Sequence, residues 1–213
     1  MASGNFFKAA LDKGAGPSLG YWQMMPSINI SRMLAQTPGC DWVLIDCEHG
    51  DLGDRDMRQC VPAVAAAGAS PIVRIPSTEP WLIKRALDAA KEARDIVKAA
   101  KFPSMGNRGF GSPFSMDRFK PIPTSDEYLQ QANDSLLTLF QIETKSALDN
   151  LEEIAAVDGI DVLFIGPFDL GNSIGYPILN GVVKPELKAA IIRILEVSRK
   201  AGEKCGIYSA SGE

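Results

Sequence analysis

The chain has 213 residues, of which 46% are apolar and 23% charged, with a formal net charge of −4; this is the composition of a globular protein long enough to bury a substantial core. Acids and bases are interspersed without a basic stripe, which excludes an electrostatic footprint for nucleic acid and favours a small-molecule partner. No apolar run approaches the roughly 20 residues of a membrane-spanning helix, and the N-terminus MASGNFFKAALDKG has no signal-peptide core, so a cytoplasmic protein is expected.

In chain order, short β-rich apolar runs predict strands at Leu19–Gln23, Trp42–Asp46, Pro71–Ile75, Leu137–Ile142, Asp161–Ile165 and Cys205–Tyr208, several apolar on both faces as buried parallel strands must be. Between them, Asp54 caps a helix running to Ala67, and Pro80–Lys101 reads as one long helix. The Gly/Pro-rich stretch Pro103–Gln131 reads as a loop followed by a short helix. Ser146–Val157 places Leu148, Leu151, Ile154 and Ala155 on one helical face, and Pro185–Ala201 starts with proline and stops at Gly202, the asymmetry expected of a helix. This alternation predicts a parallel α/β fold of barrel type, in a single domain spanning residues 1–213. The four cysteines, Cys40, Cys47, Cys60 and Cys205, contain no C-x-x-C pair and are expected to be buried, reduced thiols.

Ligands of such folds bind beyond the carboxyl ends of the strands. The second strand delivers Asp46, Glu48 and His49 there, the third Arg74, the fourth Gln141 and Glu143, and the fifth Asp169. Gln141 and Glu143 are two apart in a strand and so share a face. A carboxylate on an inner face must be paired, protonated or metal-bound. Glu143 and Asp169 are two hard oxygen donors on neighbouring strands, suited to Mg²⁺ or Mn²⁺ more than to zinc. From spacing alone they serve equally as salt-bridged structural acids. His49, the only histidine, is either an acid/base group or a hydrogen-bonded structural residue. Arg74, inside an apolar run, needs an anionic partner, which favours a functional role. The backbone N–H groups of Phe168 and Asp169 follow a strand and could hold a carboxylate, with plain turn chemistry as the alternative. Gly106–Gly111, GNRGFG, lacks the strand-before, helix-after context of a dinucleotide site and reads as a lid.

The motifs WVLIDCEHG (Trp42–Gly50), PIVRIP (Pro71–Pro76), FQIET (Phe140–Thr144) and LFIGPFDLGNSIG (Leu163–Gly175) together resemble the metal-dependent aldolases of 2-oxo acids, the hydroxy-oxo-heptanedioate aldolase family. The resemblance implies a (β/α)₈ barrel, usually hexameric, in which a divalent ion (Mg²⁺, with Mn²⁺ or Co²⁺ as alternatives) binds a 2-oxo acid. It implies Glu143 and Asp169 as metal ligands, and Gln141, Gly166, Phe168 and Asp169 as groups around substrate. It further implies His49 as acid/base, Arg74 as the cation beside the developing enolate oxygen, and Asp88 as the acid that raises the basicity of the histidine.

The motifs point most closely to a fungal branch of this family. That implies decarboxylation of oxaloacetate to a pyruvate enolate, which adds to an electrophile such as a 2-pyrone in a flat slot lined by Trp81, Phe110 or the 103–119 loop. The nearest rival is aldol cleavage of 4-hydroxy-2-oxo acids to pyruvate and an aldehyde. A non-catalytic shortened paralogue that binds a 2-oxo acid is the rival from another class. Against the family pattern a strand is missing after Ala90, and the chain stops near Ser209–Glu213 where the family continues, which leaves six strands of eight.

Overall fold

The structure is a computed structural model and describes residues 5–14, 16–74, 89–110 and 123–210. Among the described residues it is an α/β fold with six strands, all paired in parallel, in two three-stranded sheets. The expected parallel α/β class is present; among the described residues the strands form these two open sheets and no closed barrel. The chain divides into two compact units, residues 1–79 with 110–135, and residues 80–109 with 136–213.

In the first unit, α1 (Phe6–Lys13), β1 (Leu19–Gln23), α2 (Ile28–Ala35), β2 (Cys40–Asp46), α3 (Asp54–Ala66) and β3 (Ser70–Arg74) follow one another. The helices α1 and α2 escape the sequence reading because each is only eight residues long, and their caps decide them. The Asn5 and Ser27 side chains accept from the backbone N–H groups of Lys8 and Ile30, which satisfies donors that a helix start leaves orphaned. The sheet has the order β1-β2-β3. Val43 and Ile45 face a buried cluster with Ala35, Leu52, Cys60, Val64 and Ala69, so by strand alternation Trp42, Leu44 and Asp46 face the other way. Gly20 lies opposite Trp42, and a Cβ there would fall 2.0 Å from the indole. The glycine is what lets this aromatic lie across the neighbouring strand.

The second unit holds α4 (Ala89–Ala100), β4 (Leu139–Ile142), α6 (Lys145–Asp149), α7 (Leu151–Ala155), β5 (Val162–Ile165), α8 (Pro167–Ser173), α9 (Pro185–Ala201) and β6 (Lys204–Ile207); α5 (Ser125–Ser135) belongs to the first. Phe140, Ile142, Leu163 and Ile165 face a core built with Leu151, Ile154, Leu170, Leu187 and Ile194. The helix expected at Ser146–Val157 is broken at Asn150, whose side-chain amide donates to the carbonyl of Ser146; such local bonding competes with helix continuation. Of the helix expected at Pro80–Lys101, residues 80–88 lie outside the described residues, and the remainder is α4. The start of the GNRGFG stretch is folded back onto the end of α4. Asn107 N–H donates to the Lys98 carbonyl and Arg108 N–H to that of Lys101, and a Cβ on Gly106 would fall within 2.4 Å of both carbonyl oxygens. These residues finish a helix, as its orphaned carbonyls require. Residues 111–119 of the 103–119 loop lie outside the described residues. No helix among the described residues is long and apolar enough to cross a membrane. Of the cysteines, Cys60 is fully buried, whereas Cys40, Cys47 and Cys205 are half-buried, and all four are free thiols.

Candidate active site

In the first unit the ends of all three strands converge on one carboxylate. Asp46 closes β2 directly opposite Arg74 at the end of β3, and its side chain is 0% exposed. Its Oδ1 accepts from Arg74 Nε at 3.0 Å and from the backbone N–H groups of Glu48 at 3.0 Å and His49 at 2.9 Å. Its Oδ2 accepts from Arg74 Nη2 at 2.5 Å and from Trp22 Nε1 at 2.8 Å. Burial raises the Asp46 pKa, but the Arg74 guanidinium, the His49 and Glu48 amides and the Trp22 indole outweigh it and hold the carboxyl well below the usual range; donors aimed at the charged form favour ionisation.

Arg74, 15% exposed, thus has the anionic partner that its place in an apolar run demanded, and the partner is internal. A second carboxylate, Glu48, lies 3.2 Å from Arg74 Nε and 3.9 Å from His49 Nε2. The guanidinium sits over the Trp22 ring, 5.3 Å from its centroid, a cation–π arrangement. The His49 side chain is 54% exposed, its backbone fixed by Asp46 in the turn after β2. Gly50 completes that turn, since a Cβ there would lie 2.3 Å from the Asp46 carbonyl oxygen. The part played by Trp22 was missed in the sequence. Its signal was the anionic hub one strand away, which only the pairing of β1 with β2 reveals.

In the second unit, β4 and β5 pair with Gln141 opposite Phe164 and Ile142 opposite Ile165. The expectation that Gln141 and Glu143 share a face holds, since Gln141 Nε2 donates to Glu143 Oε2. Gly166 follows β5 beside them, its N–H bonded to the carbonyl of Ile142. A Cβ on Gly166 would lie 2.9 Å from Gln141 Nε2 and 3.1 Å from Glu143 Oε2, so the glycine lets the backbone after β5 approach this pair closely. Phe168 and Asp169 stand in the first turn of α8 and both are exposed. The Phe168 ring packs edge-on against Tyr208, centroids 6.1 Å apart.

Among the described residues no three His, Cys, Asp or Glu side chains gather into a metal cage. A carboxylate beside a primary amide, with Asp169 in the first turn of the following helix, nevertheless has the chemistry of a hard divalent-ion site, because Mg²⁺ takes one or two protein carboxylates and completes its shell with water and substrate oxygens. The site residues therefore fall into two groups, each described by itself: His49 and Arg74 around Asp46, and Gln141, Glu143, Gly166, Phe168 and Asp169 around the β4–β5 edge. Asp88 and Trp81 lie outside the described residues.

Comparison with known proteins agrees with these motifs. The profile of the HpcH/HpaI aldolase/citrate lyase family matches residues 29–208. A 2-dehydro-3,6-dideoxy-6-sulfogluconate aldolase of Pseudomonas putida is 39% identical over 207 residues, covering 92% of this chain and 79% of the relative. A 4-hydroxy-2-oxo-heptane-1,7-dioate aldolase of Shigella flexneri is 38% identical, covering 97% and 80%. Among solved structures, a family protein from Burkholderia cenocepacia superposes with a TM-score of 0.81 at 33% identity, covering 97% of this chain and 85% of that one. The fungal branch favoured by the motifs is represented by macrophomate synthase, with a TM-score of 0.73 at 24% identity over 95% of this chain and 74% of that one. It is a neighbour in fold but lies further away than the Burkholderia protein, which corrects the expectation that it is the nearest relative. With the strand-end carboxylates in place and the profile spanning most of its length, the chain is an enzyme of the lyase class and belongs to the HpcH/HpaI aldolase/citrate lyase family.

Proposed function

We propose that the chain is a divalent-metal-dependent aldolase that cleaves 4-hydroxy-2-oxo acids to pyruvate and an aldehyde. The observation that carries this reading is the Gln141–Glu143 pair closely approached by Gly166, with Asp169 three residues on. The names of the Pseudomonas and Shigella relatives support it. The expectation of oxaloacetate decarboxylation followed by addition to a 2-pyrone rested on likeness to macrophomate synthase, which at 24% identity argues for the fold alone; it gives way to aldol cleavage.

In this reading Glu143 and Asp169 hold the cation, Mg²⁺ with Mn²⁺ or Co²⁺ as alternatives, which when bound supplies Lewis-acid polarisation of the 2-oxo acid. Gln141 and the Phe168 and Asp169 N–H groups orient the carboxylate end of the substrate. His49 takes the proton from the C4 hydroxyl, with Asp88 as its acid partner; the C3–C4 bond breaks, the aldehyde leaves, and its bonding pair becomes the enolate, which is protonated at C3 to give pyruvate. Arg74 takes the role, implied by the family resemblance, of stabilising the charge of the developing enolate oxygen. No Schiff-base lysine is invoked. The fold proposed for residues 1–213 is the single (β/α)₈-type barrel domain of the family, in a cytoplasmic homo-oligomer, hexameric by resemblance.

The test is pyruvate release from 4-hydroxy-2-oxoheptane-1,7-dioate, coupled to lactate dehydrogenase, with Mg²⁺, with EDTA, and with Glu143→Ala. Magnesium-dependent release that EDTA and the substitution abolish is the expected result. A cooperatively folded chain that releases pyruvate from no 4-hydroxy-2-oxo acid overturns the reading.

A further inference from the structure

Arg74 is the group proposed to meet the substrate's oxyanion, yet it already faces two carboxylates, Asp46 and Glu48. Among the described residues these two anions face one guanidinium, so an incoming anion meets a compensated charge at Arg74 unless one of them withdraws. The two are not equivalent. Asp46 is 0% exposed and is held by side-chain and backbone donors from Trp22, Glu48, His49 and Arg74, so moving it would strand several buried donors. Glu48 is 30% exposed and takes the longer arm of a shared bond, since Arg74 Nε lies 3.0 Å from Asp46 Oδ1 and 3.2 Å from Glu48 Oε2. The same Glu48 oxygen is 3.9 Å from His49 Nε2, so a second nitrogen partner is within a short swing.

We propose that Glu48 is an exchangeable counter-ion of Arg74: it balances the guanidinium until an anionic substrate engages it, and then moves its carboxylate towards His49. Asp46 and the Trp22 ring keep Arg74 in place during the exchange. The proposal rests on the aldolase reading, because it takes Arg74 as the group that receives the substrate's negative oxygen. Glu48 is accordingly a positioning residue that acts through Arg74 and His49. It is also a specificity device, since an uncharged substrate cannot displace it and leaves Arg74 neutralised.

The experiment measures oxalate, a planar dianion shaped like a pyruvate enolate, binding to the full chain in Mg²⁺ by calorimetry, for wild type, Glu48→Gln and Glu48→Ala. A partly exposed ion pair that competes with the ligand lowers its affinity by about two- to fivefold, so both variants are expected to bind oxalate tighter by that factor. In turnover of a 4-hydroxy-2-oxo acid, KM falls by a similar factor while kcat falls because His49 has lost its neighbouring carboxylate, a split that a structural role would not produce. Unchanged or weaker oxalate binding in both variants, with wild type binding, overturns the exchange and leaves the aldolase reading intact. Wild type that binds no oxalate in Mg²⁺ overturns the aldolase reading, and the exchange with it.

Discussion

Replacing Asp46 with asparagine keeps the shape of the side chain and removes only its charge and half of its accepting capacity. In wild type, Oδ1 receives three donors and Oδ2 receives two, Arg74 Nη2 at 2.5 Å and Trp22 Nε1 at 2.8 Å. Whichever way the amide is turned, its NH₂ group faces at least two donors. A guanidinium only 15% exposed then loses its fully buried counter-ion. Breaking one side of such a pair costs about 3–5 kcal/mol, because the guanidinium loses its buried partner and the donors around Asp46 lose an acceptor, while Glu48 stays beside Arg74 at 3.2 Å. For a chain of this size that lowers Tm by roughly 6–20 °C. The assay is urea unfolding of wild type and Asp46→Asn followed by circular dichroism, with thermal melts alongside. A loss below about 1 kcal/mol, which is what a surface ion pair is worth, would refute the assignment of Asp46 as the buried hub.

The same carboxylate sets a pH dependence. Its folded-state pKa lies below the unfolded value of about 3.9, so its stabilisation is complete above that pH and is lost as pH falls towards the folded value; wild type therefore loses stability below about pH 4 while Asp46→Asn shows a flatter acid limb. Gly166→Ala brings a Cβ to about 3 Å from both Gln141 Nε2 and Glu143 Oε2, at a backbone conformation alanine tolerates. Disturbing a ligand's surroundings costs about 10- to 100-fold in metal affinity, to be read from the Mg²⁺ dependence of turnover, and an unchanged Mg²⁺ requirement would count against Glu143 as ligand. The thiols of Cys40, Cys47 and Cys205 are pushed up by burial and should react slowly with a disulfide reagent at pH 7; a thiol reacting at the rate of free cysteine would contradict that.

Much of the fold was legible where local signals are strong. β1 has the bounds that its apolar pattern predicts, and α9 runs from Pro185 to Ala201 because proline fits a helix start and the Gly202 cap the left-handed end, at φ 85°. Period-two logic put Gln141 and Glu143 on one face, and their hydrogen bond agrees. What stayed hidden was non-local. In WVLID the aspartate looks like one more strand-end acid, and nothing within β2 says that it pairs with Arg74 across one ladder and with Trp22 across the other. Arg74 announced the need for an anion but not which one, and register between strands supplies the answer. Asn150 was overlooked for the opposite reason. Its neighbours keep a helical apolar pattern on both sides, and one side-chain bond to Ser146 is enough to split the helix in two.

The described members of the hub around Asp46 come from residues 22–74, and those of the Gln141–Glu143–Gly166–Asp169 group from residues 141–169. Each described cluster is thus carried by one continuous stretch of the chain. Changes to the stretch that carries Trp22, Glu48 and His49 can accumulate without touching the carboxylates of the other, and an engineer can recombine one stretch from a relative while keeping its counterpart whole.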